Sequence, residues 1–477
     1  MDKPLIIYNT LSRKEEEFHP LSEKDTRLFV CGQTVYDDAH IGHAKVYINF
    51  SIVSRWLRHL NYPLRYVQNI TDVDDKIIAR AKERNMDPIE LARHFESRFL
   101  EDMDAIHVKE DVDTYIRSHD YIDQIREQIQ LLLDKGYAYP LEGDVYYDVS
   151  KFPDYTKLSG VKLEELERHR IEPKEGKKNV YDFALWKAAK PGEPSWKITL
   201  NYNNKSLSLD GRPGWHIEDT AMTNAVFGPQ YDIHGGASDL IFPHHTNEIA
   251  QAEAAFGKVP MVMYWMHSGV LRVNGEKMSK SIGNFITIRD MLKKHGAEEL
   301  RMLIASTHYR KEINYTEKHM EMASKRLRYM YSAMCIFYNA KEDGEHQDGK
   351  IKEILDKMET GFTSAMNSDF NTPLALSELS AAIDSLRLIA ESGAAVGKAS
   401  KEESISHIVK LARIFGIFTS EEYKERLTEE ESRMLKDRET MRKQGNYASA
   451  DLIRKELSEK HGITLEDSEY GTLWYRK

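Results

Sequence analysis

Two histidines three residues apart, His40 and His43, flank Ile41-Gly42 where an apolar-periodic run begins. On a helix this spacing puts both imidazoles on one face, at an end where free amides and the helix dipole favour a bound phosphate. Gly42 leaves room for a nucleotide to approach the backbone. Far downstream, Lys277-Met278-Ser279-Lys280-Ser281 is preceded by VNGE and followed by IGN. Two lysines flanking hydroxyls in a Gly-bordered loop suit closure over a triphosphate, where they neutralise the charge that develops as pyrophosphate leaves. Each segment alone is also what packed histidines or a solvated lysine loop would look like. The sequence has neither GxxxxGK[ST] nor a strand-linked GxGxxG, so ATP must be held by another device.

The elements that must position these residues alternate in type. Residues 27–31 read as a strand, 41–60 as a helix and 64–70 as a second strand leading into the acidic TDVDDK. Strand, turn and helix repeating at this scale predict an α/β domain whose functional residues sit in loops beyond strand ends. A helical run at 121–136 gives way to short strands and turns as far as about residue 215, which reads as an insertion. YDIHGGASDLIFPHH then returns to a strand, a glycine turn and a helix over 243–256, with Pro243 near its start. Residues 316–415 are helical in period, and their methionines and Cys335 read as core. The ending GITLEDSEYGTLWYRK suits a small hairpin.

Composition bounds the reading. At 477 residues, 41% hydrophobic and 30% charged, the chain has material for several cores and predicts two to four domains. No run approaches the roughly 18 to 20 apolar residues of a membrane span, and the start resembles neither a secretory signal nor a transit peptide. With only Cys31 and Cys335 there is no disulfide framework, which fits a reducing cytoplasm. The net charge of −10 argues against indiscriminate nucleic-acid binding. Residues 433–457 nevertheless carry seven Lys/Arg against four Asp/Glu, a local field suited to phosphates.

Taken together and in order, the two lysine- and histidine-bearing segments match the paired signatures of class I aminoacyl-tRNA synthetases. The chain resembles the cysteinyl-tRNA synthetase family over essentially its whole length. The resemblance lies in LFVCGQTVYDDAHIGHAK at 28–45, YVQNITDVDDKII at 66–78, GRPGWHIED at 211–219 and DIHGGASDLIFPHHTNEIAQ at 232–251. It continues through GEKMSKSIGNF, LIASTHYR, MNSDFNTPLAL and NYASADLIRKEL. It implies a Rossmann-like catalytic domain with an inserted connective domain, then a helical domain and a small C-terminal anticodon-binding domain. The expected division is 1–130 and 211–265 for the two catalytic halves, 131–210 for the insertion, 266–315 for the signature loop and stem contact, 316–415 helical and 416–477 C-terminal. It also implies ATP with Mg²⁺, L-cysteine and cysteine tRNA as partners, with a monomer favoured and no membrane.

By that resemblance His40 and His43 stabilise the phosphates, and Lys277 and Lys280 close over the leaving pyrophosphate. A zinc ion recognises the substrate thiol, a sound choice because shape alone separates cysteine from serine or alanine by only about 1 to 3 kcal/mol. The family's ligands, two cysteines, a histidine and a glutamate, fall on Cys31, Asp219, His244 and Glu248. Position 219 departs from the pattern, with HIEDT in place of HIECS. A carboxylate keeps the ligand charge but is a harder donor. Three accounts stay open: four-residue ligation including Asp219, three-residue ligation with Asp219 outside the metal's own shell, and no tightly held metal.

The resemblance further places Gly32 and Asp239 near the substrate amino group and Thr71 and Trp215 around the pocket, with His216, His234 and His245 in support. Lys45 stands where the family commonly has Arg, and the polar stretch 197–210 reads as a longer surface hairpin or loop. Arg442, Asp451, Arg454 and Trp474 are implied tRNA contacts, types that suit phosphates and unstacked bases. Two rival functions stay open: a ligase passing cysteine to a small amine, whose kind lacks the terminal anticodon-reading part, and a non-catalytic RNA-binding paralogue, favoured by Asp219 and disfavoured by both intact nucleotide-binding segments.

Overall fold

In the computed structural model, residues 4–160, 174–279, 282–343, 347–468 and 471–476 are described. Lys280 lies outside them. The chain divides into two compact units, one made of Pro4–Lys294 with Tyr309–Asn314 and the other of His295–His308 with the chain from Tyr315 onward.

The first unit opens with a hairpin, β1 (Ile6–Asn9) and β2 (Lys14–Glu17), followed by β3 (Thr26–Val30), α1 (Ile41–His59) and β4 (Leu64–Ile70). Next come α2 (Asp75–Arg84), α3 (Pro88–Ala105), β5 (Thr114–Arg117) and α4 (Ile122–Asp134). The predicted strands and first helix therefore form within a residue or two of the expected limits. An antiparallel sheet follows, built from β6 (Ala138–Leu141), β7 (Asp144–Tyr147), β8 (Phe183–Ala188), β9 (Trp196–Tyr202) and β10 (Lys205–Pro213). Its order is β6-β7-β8-β10-β9. The stretch read as a longer loop or hairpin is the β9–β10 hairpin, turning on Asn203 and Asn204 at φ of 50° and 63°. Two successive positive φ values suit asparagine and match the twist of paired strands.

The chain then returns through α5 (Trp215–Phe227), β11 (Tyr231–Ala237), α6 (Thr246–Phe256) and β12 (Val262–Ser268). The principal sheet has order β12-β11-β3-β4-β5 with every pair parallel. Its chain order reverses between β3 and β11, and loops leaving the C-terminal ends of such strands form the crevice where α/β proteins bind ligands. Cys31 follows β3 directly, Thr71 follows β4 and Asp239 lies just beyond β11. The helix predicted from residue 243 begins at Thr246 instead. Residue 242 precedes proline and is extended (φ −134°, ψ 132°), so Ile241–His245 makes a wide turn before the helix proper.

Beyond β12 come β13 (Leu271–Val273), β14 (Glu276–Lys277) and α7 (Ile288–Leu292), which bracket the lysine loop. The second unit holds α8 (Ala297–Ala305), and β15 (Ile313–Tyr315) joins the small sheet β14-β13-β15. Four long helices follow: α9 (Glu317–Tyr338), α10 (Asp348–Met366), α11 (Thr372–Glu391) and α12 (Lys398–Ala412). Their buried Met, Leu, Ile and Phe residues, with Cys335 among them, make the core that the sequence period indicated. The unit ends with α13 (Glu429–Lys443), α14 (Tyr447–His461) and the expected hairpin β16 (Ile463–Ser468) and β17 (Gly471–Arg476). No helix among the described residues is long and apolar enough to cross a membrane.

Candidate active site and metal centre

A cavity of about 480 Å³ opens at the switch point of the parallel sheet, and Cys31, Gly32, His40, His43, Trp215, Asp239 and Lys277 all line it. Gly32 is there for lack of a side chain, since a Cβ would lie 1.6 Å from the Asn69 carbonyl oxygen. Its amide donates to Asn69 Oδ1 at 2.5 Å, which ties the end of β3 to β4. Thr71 is buried behind this wall, with its Oγ1 3.3 Å from Asn69 Nδ2, and does not line the cavity.

His40 caps α1, its Nδ1 accepting from the Gly42 amide at 3.1 Å. The His40 and His43 rings stack with centroids 3.8 Å apart. Burial, then the neighbouring His40 and Lys76, push His43 far below the usual imidazole range, so it is a neutral hydrogen-bonding group at pH 7. Met278 of the lysine loop reaches the same helix start, with its Cε 2.9 Å from where a Gly42 Cβ would stand. Lys277 is exposed at the end of β14.

Behind Cys31 lies a dense cluster of buried polar side chains. Asp219 Oδ2 is 3.5 Å from Cys31 Sγ and 2.9 Å from His244 Nε2, and Glu248 Oε1 is 2.9 Å from the same nitrogen. Asn69 Nδ2 donates to Asp219 Oδ1 at 2.7 Å, which turns the other carboxylate oxygen toward the cluster. His245 Nε2 and His234 Nε2 each lie 3.2 Å from Cys31 Sγ. Cys31, His244, His245 and Glu248 offer ligand atoms all within 4.8 Å of one another. Of the residues expected to bind metal, Cys31, His244 and Glu248 belong to that group, and Asp219 touches two of its members. His245, expected in support, also offers a ligand atom in that group.

The cluster's chemistry fits a dication. A tetrahedral zinc site with N and O donors at 2.0–2.2 Å and sulfur at 2.3 Å spaces neighbouring donors roughly 3.3–3.6 Å apart. The Asp219–Cys31 contact of 3.5 Å falls in that range, while the two 2.9 Å contacts of His244 are hydrogen-bond lengths, a few tenths of an ångström shorter. Both Glu248 oxygens are buried and accept no hydrogen bond of proper alignment. Burial, followed by Asp219 and Glu248, drives the Cys31 thiol upward. Burial likewise raises Glu248, with His244 opposing. A positive ion among these groups reverses both penalties.

Around the donors, every second nitrogen is spoken for. His245 Nδ1 meets His267 Nε2 at 2.8 Å, and His267 Nδ1 meets Thr10 Oγ1 at 2.8 Å. Tyr231 Oη is 2.7 Å from His234 Nδ1, and His216 Nδ1 is 2.9 Å from His244 Nδ1. Trp215 stacks on His244 at 4.1 Å, so it both lines the cavity and backs a candidate ligand. Burial holds His234 and His245 well below the usual range and His267 at about 3. His267, Asn69 and Tyr231 were missed by sequence reasoning, because one polar residue inside a strand carries no signal of what it faces.

In the second unit, Arg442 and Trp474 line one groove together with Lys443 and Lys341. Asp451 and Arg454 lie on α14 outside that lining, both exposed, and Arg454 Nη2 donates to the Leu465 carbonyl at 3.1 Å. Arg442 is also ion-paired with Asp467.

This parallel sheet with histidines at a helix start and a lysine loop beside one cavity defines a class I tRNA synthetase. The family model "tRNA synthetases class I (C) catalytic domain" matches residues 17–325, and the DALR domain model matches 361–419. The chain belongs to the cysteine–tRNA ligase family. It is 42% identical to the cysteine–tRNA ligase of Thermococcus onnurineus over 481 residues, covering 98% of each chain. It is 41% identical to the chloroplastic/mitochondrial cysteine–tRNA ligase of Arabidopsis thaliana, covering 99% of this chain and 86% of that one. A solved structure of Mycobacterium tuberculosis methionyl-tRNA synthetase with methionyl-adenylate superposes with a TM-score of 0.59 at 14% identity, over 82% of this chain and 90% of that one, a likeness of fold.

Proposed function

We propose that this protein activates L-cysteine with ATP and transfers it to the 3′ end of cysteine tRNA. The observation that carries this reading is the Cys31-centred donor cluster opening onto the cavity that also holds His40, His43 and Lys277. Cysteine's carboxylate attacks the α-phosphorus, and pyrophosphate leaves. A terminal ribose hydroxyl of the tRNA then attacks the activated carbonyl, and AMP leaves. The chain supplies no covalent nucleophile; its contribution is orientation and electrostatics.

The start of α1 and the stacked His40 and His43 receive the phosphates, with His43 neutral. Lys277, and Lys280 by family resemblance, close over the departing pyrophosphate, with Mg²⁺ accompanying ATP. Asp239, exposed on the cavity wall, answers the substrate ammonium, and Trp215 closes one side of the pocket. Gly32 brings the β3 backbone within reach of that ammonium, and Thr71 acts from behind through Asn69.

Cys31, His244, Glu248 and Asp219, with His245 as an alternative donor, would hold zinc, which would supply a soft acceptor that separates a thiolate from a hydroxyl. Asp219 suits this role because Asn69 occupies one oxygen and leaves the other turned inward. Arg442 and Trp474 in their groove meet the anticodon end of the tRNA, with Asp451 and Arg454 on the neighbouring face. A reducing cytoplasm suits both the thiol substrate and the two buried free cysteines, and a monomer suffices for the site described.

The deciding experiment measures bound zinc, cysteine-dependent pyrophosphate exchange and tRNA charging in the purified protein. We expect stoichiometric metal, exchange with cysteine far above serine, and charging of cysteine tRNA. Exchange without charging points to a small-amine acceptor, and a zinc-free protein fully active on cysteine overturns the metal assignment.

A further inference from the structure

Helix α3 lines no part of the catalytic cavity, yet one of its turns grips both nucleotide-handling segments. Arg98 forks onto Asp38, two residues before His40, with Nη2 donating to Oδ2 at 2.9 Å and Nε to Oδ1. That guanidinium holds the Asp38 carboxyl below the usual range. Arg289, at the exit of the lysine loop, donates from Nη2 to the Arg98 carbonyl at 3.0 Å and to Glu101 Oε2 at 2.7 Å. Its Nε lies 2.9 Å from Oδ1 of buried Asp102. Between these grips the two segments join directly. The Ile41 amide donates to the Ile286 carbonyl at 3.1 Å, and the Ile288 amide donates to the Ala39 carbonyl at 2.9 Å.

We propose that Arg98 and Arg289 are positioning residues for adenylate formation, fixing the His40–His43 helix start and the exit of the Lys277 loop to a single turn of α3. The exit of the loop is thereby held to the histidines it works with. This rests on the function proposed above. The geometry explains why arginine stands at both places. A fork spans two oxygens at Asp38, and at Arg289 one guanidinium reaches a carbonyl and two carboxylates, where a lysine would supply only a point charge. A misplacement of about 1 Å in such a constellation costs on the order of a hundredfold in rate.

The test is steady-state pyrophosphate exchange for Arg98→Met, Arg289→Met, the double variant and Arg289→Lys, with folding checked by thermal unfolding. We expect kcat to fall about ten- to a hundredfold and KM for ATP to rise, with KM for cysteine unchanged. The double variant should lose little more than the worse single, because the two residues serve one strip, and Arg289→Lys should recover part of the loss. Folded variants with wild-type kcat and ATP KM overturn the inference, as does a loss that appears only in KM for cysteine. Should either Met variant fail to fold, Arg289→Lys and Asp102→Asn read the same quantities against the same criteria. An inactive wild type would overturn the proposed function instead.

Discussion

Two regions bury charged side chains in opposite ways. Around Cys31, polar groups crowd together with acceptors left over: Glu248 accepts no hydrogen bond of proper alignment, and burial pushes the Cys31 thiol up and His234 and His245 down. At the C-terminal end, Arg438 is just as buried, yet its Nη1 and Nη2 reach the two oxygens of Asp467 at 2.8 Å each, with Thr472 at 3.1 Å. The first arrangement suits an added cation; the second pairs its charge within the chain and leaves only Arg438 Nε without a hydrogen bond. At Cys31 the unmatched acceptors gather around one thiol and face a cavity, whereas at Arg438 a cation and a carboxylate answer each other inside the scaffold.

The largest effect tests the first half of that contrast. Cys31→Ser removes the soft donor at the centre of the cluster while changing little of its volume. Bound zinc should be lost, and cysteine-dependent exchange should fall by about a thousandfold or more, as expected where a site built around one group loses it. Metal analysis with exchange kinetics checks this. A variant that keeps both zinc and rate would show that the leftover acceptors around Cys31 have another purpose.

A somewhat smaller effect tests the second half. Arg438→Met leaves Asp467 with only Arg442 to offset its charge and, because Asp467 keeps some exposure to water, should destabilise the C-terminal module by about 1–2 kcal/mol. The α13–α14 pair and the terminal hairpin would loosen, and the groove lined by Arg442 and Trp474 would lose its shape. Charging of tRNA should therefore drop while pyrophosphate exchange stays near wild type, because the adenylate site draws on residues of the other compact unit. A parallel fall in both activities would contradict the scaffold reading.

The same contrast explains what was legible in the sequence. The parallel-sheet strands, the α1 start and the terminal hairpin were readable because apolar period and turn residues report local geometry. Cys31, His244 and Glu248 were readable because the family motifs carry them. Asn69 and His267 were not, since each is one polar residue whose partner lies far along the chain: Asn69 meets Asp219 across 150 positions and His267 meets Thr10 across 257; Tyr231 meets His234 only three positions on, but a lone tyrosine in a strand carries no signal of which ring it faces. Pairing of Arg438 with Asp467 was equally hidden. In the sequence Arg438 counted toward a basic surface for RNA, whereas the fold spends it on a carboxylate 29 positions away. The electrostatic reading of residues 433–457 thus loses one of its seven cations to the interior.

The smallest expected effect follows from that pairing and is a matter of pH. Hydrogen bonding to Arg438 first, then the charges of Arg438 and Arg442, hold the Asp467 carboxyl at about 2 against partial burial. In the unfolded chain the group titrates near 3.9. A folded value below the unfolded one means that the unfolded state binds the extra proton, so the contribution is fully present above about pH 4 and fades as pH falls toward 2. Asp467 keeps some exposure to water, which makes the contribution modest. Urea midpoints of the wild type and Asp467→Asn, measured between about pH 5 and pH 3, should differ most at the upper end and converge toward the lower. A difference that stays constant across that window would mean that Arg438 is held by packing of its stem and by Thr472, with the carboxylate's charge immaterial to the scaffold.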